Sequence, residues 1–287
     1  MSSAIEYLHQ AEQEKIALGH FNVANLETFW GVVQAARERQ TPFFVGVSEG
    51  ERDFIGVSQI KALVDSVRVN EGLPIFLNAD HTYSFERVQE VIDAGFDSVI
   101  IDGAQLPFEE NIELTARCVE YARENAPEVL VEAELGYIGS SSKLLDELPE
   151  GAAVTEDMIT KPEEAEEFVR RTGVDLLAPA VGTIHGMMKK GLNPQLHIER
   201  IAELRQAARV PLVLHGGSGS SPEDMKSAVE AGMGMVHIST EIRLAYKEGL
   251  QQALESRPEE IAPYKYLDIP VKKVAETVTD KLQLLGC

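Results

Sequence analysis

Short apolar runs alternate with segments of helical periodicity along the chain, and this alternation restricts the fold more than any other feature. Eight runs are rich in β-branched and other apolar residues: 16–23, 42–48, 74–80, 98–104, 130–136, 175–182, 211–217 and 235–241. Continuous apolar strands separated by amphipathic helices are typical of a parallel sheet with helices on its faces. Eight such units in 287 residues predict an α/β fold of the (β/α)8 TIM barrel type, with a doubly wound open sheet as the alternative.

The segments between the runs carry signals for the beginning and end of helices. After the seventh run, Ser221 is a predicted N-cap, Pro222 occupies the first turn and Gly232 ends the helix. The sequence has neither a linker nor a shift in composition, so we predict a single domain over residues 1–287. Residues 140–154, after the fifth run, are long enough to form a mobile loop.

Composition excludes several classes of partner. The formal net charge is −21, and a protein that binds nucleic acid or an anionic membrane needs clustered Lys and Arg, so we expect neither partner. Cys118 and Cys287 have no metal-type spacing and give no disulfide framework, so we expect structural thiols. The polar, acidic N-terminal segment does not resemble a secretory signal, and no run has the length of a membrane span. We therefore predict a cytoplasmic protein.

Ionisable residues collect where the predicted strands end, which is where a TIM barrel places its active site. They are Asp80, His81, Asp102, Glu132, Glu134, His185 and His215. Each alone has a structural explanation, such as capping the next helix. Three imidazoles with an open position suit a catalytic divalent metal, first of all zinc. Asp102 and Glu134 would then bind a second divalent or monovalent cation, or orient the histidine rings.

The residues after His215 are typical of an anion site. The sequence continues with Gly216, Gly217 and Ser218, and successive backbone N–H groups in such a turn can bind phosphate without a basic side chain. The helix that begins at Ser221 would add the partial positive charge of its N-terminus. An acidic chain can in this way bind an anionic substrate.

Four motifs, in chain order, carry a resemblance to a known family. The segments LNADHTYSFERVQEVIDAGFDSVIIDGA, VEAELGYIG, LAPAVGTIHGMMKKG and PLVLHGGSG resemble the class II, metal-dependent ketose-bisphosphate aldolases, which include fructose- and tagatose-bisphosphate aldolases. The resemblance covers nearly the whole chain, from HFNVANLETF to YKYL. It implies a (β/α)8 barrel, homodimeric or homotetrameric, that reversibly joins dihydroxyacetone phosphate to an aldehyde.

The resemblance also implies roles for individual residues. His81, His185 and His215 resemble the zinc ligands, and Asp102 and Glu134 match positions that bind metal in an alternate or second site. Asp80 resembles the residue that exchanges a proton with the oxygen of the acceptor half. The implied substrate contacts are Asn22, Ser48, Gly186, Gly216, Gly217, Ser218, His237, Ser239 and Thr240.

Three positions depart from the family pattern. The loop after the fifth strand usually carries a second glycine and an acid that deprotonates the ketone phosphate, but here it has Ser140 to Ser142, with Asp146 or Glu147 as replacements. His237 replaces the usual asparagine of the eighth strand, where it would donate a similar hydrogen bond, add a metal ligand or change the substrate. Tyr264 replaces an arginine for the far phosphate and cannot form that residue's bidentate contact.

These features predict a zinc-dependent aldolase that cleaves a ketose 1-phosphate, first of all fructose 1,6-bisphosphate, into dihydroxyacetone phosphate and an aldehyde through a metal-stabilised enediolate. Three alternatives stay open. One is a related aldolase with a less charged acceptor aldehyde. The second is a noncatalytic homologue that binds sugar phosphates. The third is a zinc hydrolase on the same barrel, which would release phosphate or cleave an ester without breaking a carbon–carbon bond.

Overall fold

Eight parallel strands close into a barrel in a computed structural model of the chain, which describes residues 3–139 and 142–287. In these ranges the strands are β1 (Leu18–Asn22), β2 (Phe43–Val47), β3 (Ile75–Thr82), β4 (Ser98–Ile101), β5 (Leu130–Leu135), β6 (Leu144–Leu145), β7 (Leu176–Pro179), β8 (Met187–Met188), β9 (Leu212–Leu214) and β10 (Met233–Ile238). Strands β6 and β8 pair with each other outside the barrel. The other eight form the barrel, which β1 closes by pairing with β10, so the predicted TIM barrel is confirmed.

Helices follow the barrel strands, as the alternating pattern predicts. They are α1 (Ala4–Glu14), α2 (Leu26–Arg39), α3 (Glu49–Ile55), α4 (Val57–Glu71), α5 (Phe85–Asp93), α6 (Phe108–Asn125), α7 (Pro162–Thr172), α8 (Ile198–Ala208), α9 (Pro222–Ala231), α10 (Thr240–Ser256), α11 (Pro263–Tyr266) and α12 (Asp268–Leu284). The Ser221 hydroxyl accepts the N–H of Asp224 at 3.0 Å, and Gly232 is the C-cap of α9. Both predicted boundaries of this helix are confirmed.

The barrel interior changes from apolar to polar along the strand direction. Alternate residues of a strand point inward, and on β5 these are Leu130, Glu132 and Glu134. The apolar layer at the N-terminal end of the barrel contains Leu18, Phe44, Phe76, Leu130, Leu176, Val213 and Met235, and it packs against buried residues of α1. Helix α1 therefore closes this end, and the polar side chains collect at the opposite end.

The strand boundaries differ from the predicted runs at the functional rim. Strand β3 continues past Asp80 to Thr82, and β4 ends at Ile101, so Asp102 follows the strand. The predicted eighth strand is wrong at its end, because Ser239 is the N-cap of α10 and Thr240 is already helical. The predicted mobile loop contains Ser140 and Ser141, which lie outside the described residues, and it continues into the short strand β6.

Cys118 and Cys287 are both free thiols, which agrees with the prediction that neither belongs to a disulfide framework. Burial raises the pKa of the Cys118 thiol to about 12, so this residue stays protonated at neutral pH. In the parts of the chain that the structure describes, no helix combines the length and the apolar character that a membrane span requires.

Candidate active site

Strand β3 delivers two adjacent side chains, Asp80 and His81, to one cleft. Consecutive residues of a regular strand point to opposite faces, but the register between β3 and β4 shifts between Ala79 and Thr82. His81 has a φ of +40°, a conformation that is strained for a residue with a Cβ. As a result, Asp80 and His81 both line the cleft at the C-terminal end of the barrel.

Four side chains form a cluster that fits a metal ion. The ligand atoms of His81, Glu134, His185 and His215 all lie within 4.8 Å of one another. His81 Nδ1 lies 2.9 Å from Asp102 Oδ2, and His185 Nδ1 lies 2.6 Å from the Gly139 carbonyl oxygen. With Nδ1 as the donor in each contact, Nε2 carries the lone pair that a metal requires. Asp102 is thus positioned to orient His81.

The third histidine is held by two carboxylates from β5. His215 Nε2 lies 2.7 Å from Glu132 Oε1, and its Nδ1 contacts Glu134 Oε1. Both glutamates are buried. If a metal ion bound His215 Nδ1 in place of Glu134, Glu132 would remain at Nε2 and would orient the ring. Glu132 was absent from the predicted metal set, although it precedes Glu134 by two residues and therefore shares its inward face.

The carboxylates determine the charge of the histidines. Burial opposes protonation of His81, but Asp80 and Glu134 raise its pKa to about 9. At His215 burial also opposes protonation, but Glu134 and Glu132 raise the pKa well above its ordinary value. Among the described residues, His185 has no carboxylate at hydrogen-bond distance, and burial and the positive charge of His81 lower its pKa to about 3. A metal ion would replace the protons of His81 and His215 as the counter-charge of these carboxylates.

Asp80 is fixed on one side and free on the other. Its Oδ2 accepts a hydrogen bond from Asn22 Nδ2 at 2.8 Å, whereas its buried Oδ1 has no hydrogen-bond partner among the described residues. Burial opposes ionisation, but the adjacent charge of His81 holds the pKa of Asp80 well below its usual value. The side chain is therefore a carboxylate whose Oδ1 faces His237 Nδ1 at 3.5 Å, longer than a good hydrogen bond.

The inner part of the cleft is narrow, with a cavity volume of about 20 Å³. Its lining comprises Asn22, Asp80, His81, Ser142, His185, Gly186, Gly216, Ser218, His237, Ser239 and Thr240. Ser239 and Thr240 begin α10, so the partial positive charge at the N-terminus of this helix faces the cleft. The sequence pattern predicts that role for α9, but Ser221 and Pro222 do not belong to the lining.

Gly216 and Gly217 differ in what they can bind. Gly216 lines the inner cleft with a φ of +66°, and left-handed backbone of this kind favours glycine. Gly217 donates its N–H to the His237 carbonyl at 3.2 Å. Its predicted backbone contact with phosphate therefore has no support in the structure, because the donor already has a partner and Gly217 is not part of the lining.

His237, the residue in place of the family asparagine, lies in a stack of imidazoles. Its ring is parallel to that of His20 with 3.5 Å between centroids, and it lies 4.2 Å from the ring of His215. Burial and the neighbouring His20 lower its pKa well below the ordinary value, so the ring is neutral. Neither ring nitrogen has a hydrogen-bond partner within good geometry among the described residues, although Nδ1 lies 3.5 Å from Asp80 Oδ1. His237 can therefore offer a hydrogen bond to a ligand in the inner cleft.

An outer part of the cleft opens beside the metal cluster, with a cavity volume of about 230 Å³. Its lining comprises Ser48, Glu49, Gly50, Asp80, His81, Tyr83, Ser142, His185 and Arg243. Asp80, His81 and His185 line both parts, so the two compartments meet at the candidate metal ligands. Ser48 therefore lies on the outer side. Arg243, which was not predicted as a site residue, adds a positive charge to this lining.

The residues proposed to replace missing family side chains lie elsewhere. Asp146 has a side chain that is 77% exposed and 2.6 Å from Lys189 Nζ, and Glu147 is exposed. Neither lines the cleft, so the structure does not support either residue as the loop base. Tyr264 is 79% exposed on α11 and is not part of either lining. Ser142 does line both compartments.

Comparisons with known proteins identify the family. Residues 2–287 match the family described as Fructose-bisphosphate aldolase class-II. A probable fructose-bisphosphate aldolase of Bacillus subtilis is 37% identical over 289 residues, covering 99% of this chain and 97% of that protein. The fructose-bisphosphate aldolase of Geobacillus stearothermophilus is 36% identical, with coverage of 98% and 95%. The crystal structure of the YdjI aldolase from Escherichia coli K12 superposes with a TM-score of 0.84 at 30% identity, covering 99% and 97%. The chain therefore belongs to the class II fructose-bisphosphate aldolase family.

Proposed function

We propose that this aldolase is zinc-dependent and reversibly cleaves fructose 1,6-bisphosphate into dihydroxyacetone phosphate and glyceraldehyde 3-phosphate. The observation that carries the proposal is the position of the metal cluster, because His81 and His185 line both the inner and the outer compartment. A ketose whose phosphate end occupies the inner compartment would have its central carbon–carbon bond beside these residues. Both family membership and the donor set are consistent with metal dependence.

The donor set is one that zinc favours. His81, His185 and His215 would hold the ion, with Glu134 close enough to serve as a further ligand. When bound, zinc supplies a Lewis acid for the negative charge that develops on the ketone oxygen during cleavage. Asp102, the Gly139 carbonyl and Glu132 each contact the other nitrogen of one of these rings and keep it in the orientation that ligation requires.

The inner compartment is suited to the ketose phosphate. Ser218, Ser239 and Thr240 line it together with the N-terminus of α10, which gives hydroxyl donors and the partial positive charge of a helix N-terminus for an anion. The Ser218 hydroxyl is fixed by the N–H groups of Ser239 and Glu241, each at 3.3 Å. These two N–H groups therefore already have a partner, and the hydroxyl groups and the helix dipole remain to attract the ketose phosphate.

Asp80 is the proposed proton carrier of the acceptor half. In cleavage, Oδ1 takes the proton of the hydroxyl whose oxygen becomes the aldehyde carbonyl, and in synthesis it returns that proton. Its lowered pKa keeps it ionised and ready to accept the proton at neutral pH. The hydrogen bond from Asn22 at 2.8 Å holds the carboxylate in one orientation. His237 would donate a hydrogen bond from a ring N–H to an oxygen of the ketone phosphate.

Proton exchange at the carbon of dihydroxyacetone phosphate tests this function without an acceptor. Zinc-loaded protein in deuterated water should exchange a C–H proton of dihydroxyacetone phosphate, as followed by NMR, and EDTA should abolish the exchange. Cleavage of fructose 1,6-bisphosphate should depend on zinc in the same way. Tight binding of dihydroxyacetone phosphate without exchange would contradict the proposal and favour a noncatalytic sugar-phosphate-binding protein.

A further inference from the structure

Arg52 is a buried cation that belongs to neither compartment of the cleft. Its side chain, on α3, is fully buried and is absent from both linings. Burial of a charge is costly unless it is compensated, and arginine is rarely buried without a carboxylate partner. Among the described residues, however, the hydrogen bonds of Arg52 all go to neutral oxygens. The position of these oxygens indicates the role of the residue.

The guanidinium group of Arg52 joins the ends of two neighbouring barrel strands. Its Nη1 donates to the carbonyl of Val47, the last residue of β2, at 2.7 Å and to the carbonyl of Asp80 on β3 at 3.1 Å. Its Nη2 donates to Thr82 Oγ1 at 3.1 Å, whereas Nε has no partner among the described residues. Asp80 and Thr82 are the two neighbours of His81 in the chain. Arg52 therefore holds the backbone before His81 and the side chain after it.

The segment that Arg52 holds is irregular. Between Ala79 and Thr82, three residue steps of β3 face two steps of β4, so β3 contains one extra residue, as in a β-bulge. His81 lies in this bulge with a φ of +40°, and such a conformation persists only where the surrounding structure enforces it. A bulge also interrupts the regular ladder, so its backbone groups need other hydrogen-bond partners. Arg52 supplies one for the Asp80 carbonyl.

The preceding residue of α3 supports the same segment through side chains. One oxygen of Glu51 accepts a hydrogen bond from Asn22 Nδ2 at 3.0 Å, and Asn22 Nδ2 also donates to Asp80 Oδ2 at 2.8 Å. The other oxygen of Glu51 lies 2.7 Å from Arg243 Nη2. Helix α3 thus holds the main chain of Asp80 through Arg52 and its carboxylate through Glu51 and Asn22.

We propose that Arg52 is a positioning residue that holds the bulge of β3 in the conformation that directs His81 to the metal and Asp80 to the substrate. The inference rests on the proposed function, because that proposal assigns the metal to His81 and proton transfer to Asp80. Arg52 acts through β3 and does not line the cleft itself. A planar guanidinium group can donate to three acceptors in fixed directions, which an apolar side chain of similar length cannot do.

A role in packing alone has different consequences. Methionine is unbranched like arginine but has no N–H donor, so Arg52→Met retains much of the buried volume and leaves the Asp80 carbonyl without this partner. If Arg52 only fills space, the variant loses stability and keeps a normal metal site. If Arg52 positions the bulge, the coordination of the metal changes, and Arg52→Lys, which keeps N–H donors, recovers part of the loss.

The test compares the cobalt-loaded and zinc-loaded forms of these variants with those of the wild-type protein. Cobalt(II) can replace zinc, and its visible absorption reports the number and geometry of the ligands. We expect Arg52→Met to change this spectrum and to weaken zinc affinity by about 10- to 100-fold, the usual effect of losing a residue that orients a metal ligand. Competition with a chromogenic chelator measures the affinity.

Catalytic constants give a second readout. At saturating zinc, kcat for cleavage of fructose 1,6-bisphosphate should fall by about 10- to 100-fold in Arg52→Met, because both Asp80 and His81 are displaced. The KM should change by less than about threefold, because Ser218 and Thr240, which line the inner compartment, lie outside β3. A general loss of structure would not separate the two constants in this way.

The matched control is Arg68→Met. Arg68 also donates to a carbonyl of β3, that of Ile75, at 3.1 Å from Nε and 2.7 Å from Nη2. Ile75 is the first residue of the strand and therefore lies at the end of the barrel away from the cleft. This variant should leave the cobalt spectrum, the zinc affinity and kcat unchanged even though it lowers the free energy of unfolding.

The outcomes decide the inference as follows. A folded Arg52→Met protein with the wild-type spectrum, zinc affinity and kcat would overturn it, as would equal changes in Arg68→Met. If Arg52→Met does not fold, Thr82→Val decides instead, since it removes one acceptor of the guanidinium group and keeps Arg52; we then expect a smaller change of spectrum and kcat, and no change would overturn the inference. Absence of proton exchange in the wild-type protein refutes the aldolase function, whereas the cobalt spectra still decide the role of Arg52.

Discussion

Replacement of Gly216 by alanine tests how tightly the backbone around the inner compartment is packed. At a φ of +66°, a Cβ at this position would lie 2.8 Å from the carbonyl carbon of Ile184 and still closer to its oxygen. Left-handed backbone costs a residue with a Cβ about 1–2 kcal/mol, and an overpacked buried site costs about 1–3 kcal/mol more. We therefore expect Gly216→Ala to lower the free energy of unfolding by about 2–5 kcal/mol.

Gly72 offers a control that separates the two contributions. It has a φ of +67°, nearly the value of Gly216, but an added Cβ would meet no atom within 4 Å among the described residues. Gly72→Ala should therefore cost only the conformational part, about 1–2 kcal/mol. Denaturant unfolding of the metal-free proteins measures both values under one set of conditions.

The same substitution should also impair substrate binding. Relief of the contact with Ile184 requires a shift of the turn that carries Gly216 into the inner compartment. We expect the KM for fructose 1,6-bisphosphate to rise at least about tenfold in Gly216→Ala, the equivalent of one lost hydrogen bond to an anion, and to stay unchanged in Gly72→Ala. Equal losses of stability in the two variants, with an unchanged KM in both, would refute the view that Ile184 restricts this position.

Two further predictions concern the metal. Asp102→Ala should weaken zinc affinity by about 10- to 100-fold, because His81 Nδ1 loses its partner at 2.9 Å; competition with a chromogenic chelator measures the affinity, and an unchanged value would contradict the orienting role of Asp102. In the metal-free protein the pKa of His81 is raised to about 9, so at pH 7 zinc must displace its proton. Zinc affinity should therefore rise with pH between 7 and 9, by about tenfold per pH unit for each proton displaced. The same raised pKa stabilises the metal-free fold below the unfolded value near 6.5, and this contribution is lost as the pH rises through about 9. Calorimetric titrations in buffers of different ionisation enthalpy count the released protons, and a count of zero at pH 7 would contradict the charge assignment.

Much of the barrel and of the metal cluster could be predicted from local pattern. Each of the eight apolar runs overlaps a barrel strand, and the three predicted histidines converge with Glu134. The family resemblance selected the same histidines. These predictions hold because parallel strands in a barrel must end at the same rim, so residues at strand ends meet regardless of their distance in the sequence.

Other parts of the site could be predicted only incompletely. Glu132 had a usable signal, since its spacing of two from Glu134 places both on the inward face of β5. Glu51 had one as well, because Ser48 and Glu51 form a capping box at the beginning of α3. Neither signal reveals that the two glutamates contact His215 and Arg243, which come from distant parts of the chain.

The sequence by itself determined the order of strands and helices, the collection of ionisable residues at the strand ends, and the identity of the histidine cluster. The tertiary structure decided that α10 rather than α9 directs its N-terminus into the inner compartment. It also decided that Asp146 pairs with Lys189 outside the cleft and that Arg243 reaches Glu51, 192 positions away in the chain. The physical reason is the range of the interactions. Periodicity and capping residues depend on hydrogen bonding and burial within one helix or strand. The direction of a helix terminus or of a long side chain depends instead on barrel closure and on the irregular register at the end of β3.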